Sequence, residues 1–246
     1  MIGIVEAILT GLAIGLISNY LADVLPRNRR LTAPVCLKCG NQRSIKKFLW
    51  GADCELCGKD NKTRFWIVLA SSCGLSIGAW FKPVDNLPFL VSIVLLVLFT
   101  VIVITDLEYR VILEQVSLVG YMICAAAGWF LHGITKTALG GITGFLVFLA
   151  FYYGGKLFAR RLSKNREEPV DEEALGFGDV HLAGIIGLLT GFPYIFTALL
   201  AAIVLGGIIS AAFIFFAVIK KQYQAFQAIP YGPFIVLGGI IALYMA

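Results

Sequence analysis

Apolar residues in this chain come in long blocks and do not alternate with polar ones. Nearly charge-free runs cover 2–24, 65–81, 87–105, 115–131, 137–158, 180–191, 194–219 and 229–245. A helix crossing a hydrocarbon layer of about 30 Å needs roughly 17–25 such residues. A membrane β-strand would show a period of two instead, and only helices or closed barrels satisfy their backbone groups in lipid. The pattern therefore predicts an all-α polytopic membrane protein of about eight transmembrane helices, with the run at 180–191 the shortest. Its organisation reads as a first transmembrane helix at 1–25, a small cytoplasmic loop domain at 26–64, and a seven-helix membrane core at 65–246.

Composition agrees with this pattern and adds orientation. Of the 246 residues, 59% are hydrophobic and 14% charged, which excludes a soluble domain of this length. Cytoplasmic loops carry the excess of Lys and Arg. Of the 20 such residues only Lys82 and Lys136 fall on the other side, so both termini are expected outside. The first block lacks a basic leading region, carries Glu6 and runs into a basic loop, and is read as a retained helix and not a cleaved signal peptide. The net charge of +5 reflects this topology and contact with anionic membrane lipid. It carries no nucleic-acid inference.

The polar segment 26–64 is too small to bury a sizeable core. It contains CLKCG and CELCG, in which Cys36, Cys39, Cys54 and Cys57 form two C-x2-C-G knuckles. Four soft thiolates in two close pairs suit tetrahedral zinc, and four of them close the coordination sphere, which makes the metal structural. Two disulfides are the alternative, disfavoured by a reducing compartment. Cys73 and Cys124 lie inside predicted helices and read as small core residues.

The second polar segment, RRLSKNREEPVDEEALGFG, passes from basic to acidic. Glu167, Glu168, Asp171, Glu172 and Glu173 read as a solvated or substrate-steering acidic stretch. Gly176 and Gly178 then deliver Asp179 to the start of the next apolar block, where a carboxylate meets the positive end of a helix dipole. Asp106 closes the block at 87–105 at the same predicted membrane height. Charged groups at membrane depth are costly and call for a function. Two carboxylates meeting at a partly dry interface cannot both ionise cheaply, so one holds a proton while the other can activate water. The plainer reading is that Asp179 caps a helix and that Asp106 pairs with Arg110.

GFGD at Gly176–Asp179, Asp106 after an apolar helix, the paired CxxC knuckles and IPYGPF at 229–234 together resemble the type IV prepilin peptidases. The resemblance spans the chain. It implies a GxGD-type aspartic endopeptidase of the bacterial inner membrane that removes the short basic leader of prepilins and pseudopilins at the cytoplasmic face. On this resemblance Asp106 and Asp179 are the catalytic aspartates, Gly176 and Gly178 support the motif, the four cysteines bind zinc, and Asn19 and Pro26 match the end of the family's first helix. The turn after Asp106 departs from the family's Ile-Pro-Asp or Ile-Pro-Asn, reading Ile112, Leu113 and Glu114, and His181 stands where lysine is common.

Many members also methylate the new N-terminus using S-adenosylmethionine. Here the stretch TRFWIVL at 63–69 lacks the proline and glutamate of bifunctional relatives, and no strand-glycine-helix unit marks a nucleotide site. The expectation is cleavage with weak or absent methylation. Other readings are a presenilin-type protease that cuts signal peptides, or a non-catalytic assembly protein or transporter with a structural zinc loop. Small-residue pairs such as Gly140 with Gly144 and Gly184 with Gly187 predict close helix contacts.

Overall fold

The computed structural model of the chain describes residues 2–36, 39–42, 44–52, 54, 57, 62–163, 175–220 and 230–245. The acidic stretch at 167–173, Gly58 of the second knuckle and Ile229 lie outside the described residues. The described elements are helices: α1 (Ile2–Asn28), α2 (Ile45–Leu49), α3 (Lys62–Phe81), α4 (Phe89–Tyr109), α5 (Glu114–His132), α6 (Ile134–Ser163), α7 (Phe177–Thr190), α8 (Ile195–Ile219) and α9 (Gly232–Leu243). Six of them, α1, α3, α4, α5, α6 and α8, are long and apolar enough to cross a membrane.

The expectation of eight spans is therefore met by six. The runs at 180–191 and 229–245 form α7 and α9, of 14 and 12 residues. At 1.5 Å per residue they reach only about 21 and 18 Å, short of the hydrocarbon thickness. Their hydrophobicity has another cause, because both are core helices. Ten of the 14 residues of α7 are buried, and α9 buries Phe234, Ile235, Val236 and Ala242.

The chain divides into two compact units, Met1–Thr105 and Asp106–Ala246, so the last turn of α4 counts with the second. In the first unit α1 packs on α3 through small residues. A Cβ at Gly11 would lie 2.5 Å from Cys73 Cα, and one at Gly15 would lie 3.0 Å from Leu69 Cα. Thr10 Oγ1 and Ser76 Oγ share a hydrogen bond of 2.8 Å across the same contact. Close backbone approach and interhelical hydrogen bonds are what hold helices together in lipid.

The loop end of this pair carries a buried polar cluster. Arg64 of α3 donates to Asn19 Oδ1 at 3.1 Å and forms an ion pair with Asp23. Asn19 Nδ2 in turn donates to the carbonyls of Gly15 at 2.9 Å and Phe65 at 3.4 Å. A buried pair is tolerated only when further hydrogen bonds satisfy it, and Asn19 supplies them. Sequence spacing pairs Asp23 with Arg27 one turn on. The structure adds Arg64 from another helix and sends Arg27 Nη1 to the Cys36 carbonyl at 2.9 Å. Pro26 lies inside α1, which continues to Asn28 beyond the expected boundary at 25. So close to the helix end, proline removes one backbone donor without ending the helix.

In the second unit α7 is enclosed by α5, α6 and α9. Glycines set its distance from α6: a Cβ at Gly140 would lie 2.3 Å from the Gly187 carbonyl oxygen, and one at Gly144 would lie 2.3 Å from that of Ala183. On the α5 side a Cβ at Gly128 would lie 2.0 Å from the Leu188 oxygen. The predicted pairs Gly140 with Gly144 and Gly184 with Gly187 thus lie at real contacts, whereas Gly154 faces open space. Gly238 seats α9 on α8, its Cβ position 2.2 Å from the Ala198 oxygen. Gly239 abuts Ile186 of α7.

Candidate active site and metal centre

Asp106 occupies the last turn of α4, which stops at Tyr109 because Arg110 turns to a φ of 54°. A short extended link through Leu113 (φ −70°, ψ 133°) then leads into α5, whose first residue is Glu114. The link is non-helical even without the family's proline, since the left-handed Arg110 breaks the helix instead. Asp106 is 5% exposed, and its Oδ2 accepts the Gly232 N–H at 2.8 Å. Asp106 is thereby tied to an element 126 positions away, a contact that its spacing to Arg110 does not suggest.

Asp179 is the third residue of α7 and is 7% exposed. Gly176, the N-cap, donates its N–H to Asp179 Oδ2 at 3.2 Å, and its carbonyl accepts the Asp179 N–H at 3.1 Å. Glycine has no side chain to complete a capping box, so the aspartate makes the one side-chain contact of this cap. The capping role expected for Asp179 is thus present, and it occupies only one carboxylate oxygen. Asp179 Oδ1 is buried without a hydrogen-bond partner among the described residues.

The two segments that carry the carboxylates touch. A Cβ at Gly178 would lie 2.9 Å from Cβ of Ile112, in the link that follows Asp106. Glycine at 178 is therefore needed for the close approach of α7 to that link. The pair has one geometry in common: each aspartate is fastened through Oδ2 to a glycine amide, Gly232 for Asp106 and Gly176 for Asp179. Such fixed backbone donors hold a charged group without reorganising.

His181 points elsewhere, since residues two apart on a helix do not share a face. Its Nδ1 bonds the Tyr121 hydroxyl at 3.1 Å, and its ring packs edge-on against Tyr121 and Phe177. His132 Nε2 binds the Leu189 carbonyl at 3.0 Å, a packing contact.

Sequence reasoning misses the Gly232 amide. IPYGPF reads as a place where proline redirects the backbone, and Pro233 does sit in the first turn of α9. The usable signal is that first-turn amides have no intrahelical acceptor.

The metal centre lies in the first unit. The Sγ atoms of Cys36, Cys39, Cys54 and Cys57 all fall within 4.8 Å of one another. Cys36 and Cys57 are 3.5 Å apart, as are Cys39 and Cys54. Disulfide sulfurs would be about 2.05 Å apart, whereas a tetrahedron with Zn–S near 2.3 Å spaces its sulfurs about 3.8 Å apart. None of the four is in a disulfide, and the donor set fits an ion such as zinc. The first knuckle turns at Gly40, whose φ of 74° lets its N–H reach the Cys36 carbonyl at 2.9 Å. Cys124 is buried as expected of a core residue, and Cys73 lies at the α1 contact near the Ile8 carbonyl.

No curated protein and no solved structure matches the chain. Residues 93–211 match the family model described as the type IV leader peptidase family. The matched segment runs from α4 to α8 and includes Asp106, Asp179 and the glycines before it, Gly176 and Gly178. The match covers 119 of the 246 residues and supports a type IV leader peptidase-family assignment.

Proposed function

We propose that the chain is an aspartic endopeptidase that removes the basic leader of type IV prepilins or pseudopilins at the cytoplasmic face of the bacterial inner membrane. The observation that supports this reading is the pairing of two buried aspartates, Asp106 and Asp179, on touching segments, each fastened to a glycine amide through one oxygen. A prepilin leader is cationic and precedes an apolar helix. Its scissile bond would rest at the polar end of the membrane, where a helix-terminal pair of acids can meet it.

In the reaction one aspartate is ionised and the other protonated, and the pair titrates as a unit. The ionised carboxylate takes a proton from water as the oxygen attacks the peptide carbonyl, and the protonated one gives its proton to the carbonyl oxygen. Collapse of the tetrahedral adduct breaks the C–N bond, and the amine leaves with a proton from the pair. Oδ1 of each residue, left free by the glycine amides, is the oxygen for these transfers. Zinc, when bound to the four cysteines, would supply a structural cross-link for a small loop.

Methyl transfer is left out of this reading. In bifunctional relatives the stretch that follows the zinc loop is basic, aromatic, then proline, and ends in glutamate, whereas TRFWIVL at 63–69 has neither the proline nor the acid. Its Arg64 is paired with Asp23, and the missing glutamate removes a partner for the ammonium group of S-adenosylmethionine.

The test is cleavage by the purified chain in detergent of a synthetic peptide with a basic leader and an apolar continuation, the products sized by mass spectrometry. A single cut at the junction is expected. No cut, or a cut inside the apolar part, would reject the reading.

A further inference from the structure

The turn that opens α9 reads Pro230, Tyr231, Gly232, Pro233. Two of these residues lack an N–H, which leaves Tyr231 and Gly232 as its donors. Gly232 is the first residue of α9, so its N–H has no acceptor within the helix and carries part of the positive end of the helix dipole. It donates to Asp106 Oδ2 at 2.8 Å in a buried setting. The carboxylate also lies flat against this glycine: an added Cβ would sit 2.7 Å from Oδ2, 3.1 Å from Cγ and 3.4 Å from Cβ of Asp106.

The turn itself is held firmly. The Tyr231 ring packs at 6.0 Å from Phe148 and 5.8 Å from Phe234. A Cβ at Gly206 of α8 would lie 2.8 Å from the Tyr231 ring. About two turns further along α9, Gly239 rests on Ile186 of α7, the helix that carries Asp179. One helix thus grips Asp106 by its first amide and the support of Asp179 by its middle.

We propose that Gly232 is a positioning residue for the aspartate pair: its N–H fixes Asp106 through Oδ2 and leaves Oδ1 to meet water and substrate, and only glycine permits this approach. The proposal rests on the aspartic peptidase reading. Its role is indirect, because Gly232 acts through Asp106 and need not touch the peptide.

The experiment compares wild type, Gly232→Ala, Gly207→Ala and Gly11→Ala on the leader peptide. Gly207 faces open space and is a neutral control. Gly11 is a packing control, crowded against Cys73 Cα at the contact of α1 with α3. Gly232→Ala should lower kcat by about tenfold or more, as expected for a lost hydrogen bond to a charged group, with KM within about twofold. Gly11→Ala should lower thermal stability and leave kcat per folded molecule near wild type. Melting temperatures are also measured in an Asp106→Ala background, where the carboxylate that the added methyl group would strike is gone. The drop caused by Gly232→Ala should shrink there, and a variant that fails to fold alone should fold in that background. An unchanged kcat, or equal melting losses in both backgrounds, overturns the proposal while leaving the peptidase reading intact. If wild type cuts no leader peptide, the peptidase reading fails and the positioning role falls with it, even where the melting cycle records the contact.

Discussion

Substituting alanine for Gly144 tests whether the glycine seam between α6 and α7 sets the position of Asp179. The new Cβ would lie 2.3 Å from the Ala183 carbonyl oxygen, 3.0 Å from its carbon and 3.2 Å from Ile195 Cδ1. Carbon and carbonyl oxygen ordinarily approach no closer than about 3.3 Å, so the helices must part by about 1 Å. Overpacking of this kind costs about 1–3 kcal/mol. At the middle of that range the folded-to-unfolded ratio falls roughly 30-fold, since each 1.4 kcal/mol is a factor of ten. Ala183 is one turn beyond Asp179 on α7, so the carboxylate moves with it. A misplacement of about 1 Å can lower turnover roughly 100-fold. The assay pairs thermal unfolding in detergent with leader-peptide cleavage well below the transition. Gly154→Ala is the control on the same helix, because its Cβ meets nothing, and helix propensity alone would favour it by up to about 1 kcal/mol. A Gly144→Ala protein with wild-type melting and wild-type turnover would refute the reasoning.

Gly178→Ala should depress cleavage by pressing on Ile112, 2.9 Å from the added carbon, and Ile112→Ala should restore part of the loss by vacating that space; no rescue would place the defect elsewhere. Metal analysis should find one zinc per chain on the four cysteines, removable by strong chelators with loss of loop order. Well under one equivalent together with a low free-thiol count would favour disulfides, and Cys36→Ser should lower stability more than Cys124→Ser. Mass spectrometry of the cleaved pilin-like product should show an N-terminus with little or no added methyl. Stoichiometric methylation dependent on S-adenosylmethionine and this chain would contradict the reading of the stretch at 63–69.

The features legible in the sequence are those that depend on residue type at short range. Paired CxxC knuckles announce a four-thiolate cluster because two close pairs of soft ligands have little other use, and the sulfurs do gather. Asp106 and Asp179 stand out because acids are rare at the ends of apolar blocks, and the fold buries both on segments that touch. Features set by tertiary context are not legible. Hydropathy cannot separate a short helix buried in protein from one in lipid, so α7 and α9 count as spans by sequence alone. The i,i+4 rule finds Arg27 for Asp23 but has no view of Arg64, which arrives from α3. Gly11 and Gly15 read as ordinary helix residues until the Cα atoms of Cys73 and Leu69 arrive beside them. The Gly232 amide is a backbone group, and a backbone donor leaves no residue signature beyond the turn that presents it.

The central claim is that Asp106 and Asp179 act together on a leader peptide. Its most direct test measures leader removal by wild type, Asp106→Asn and Asp179→Asn, each nearly isosteric and unable to ionise, at matched amounts of folded protein. Each substitution should abolish cleavage, and the double variant should be no worse than either single one, because the two groups work as a unit. Wild-type processing by either single variant would contradict the account. Absence of cleavage from all three proteins would point instead to a non-catalytic membrane role.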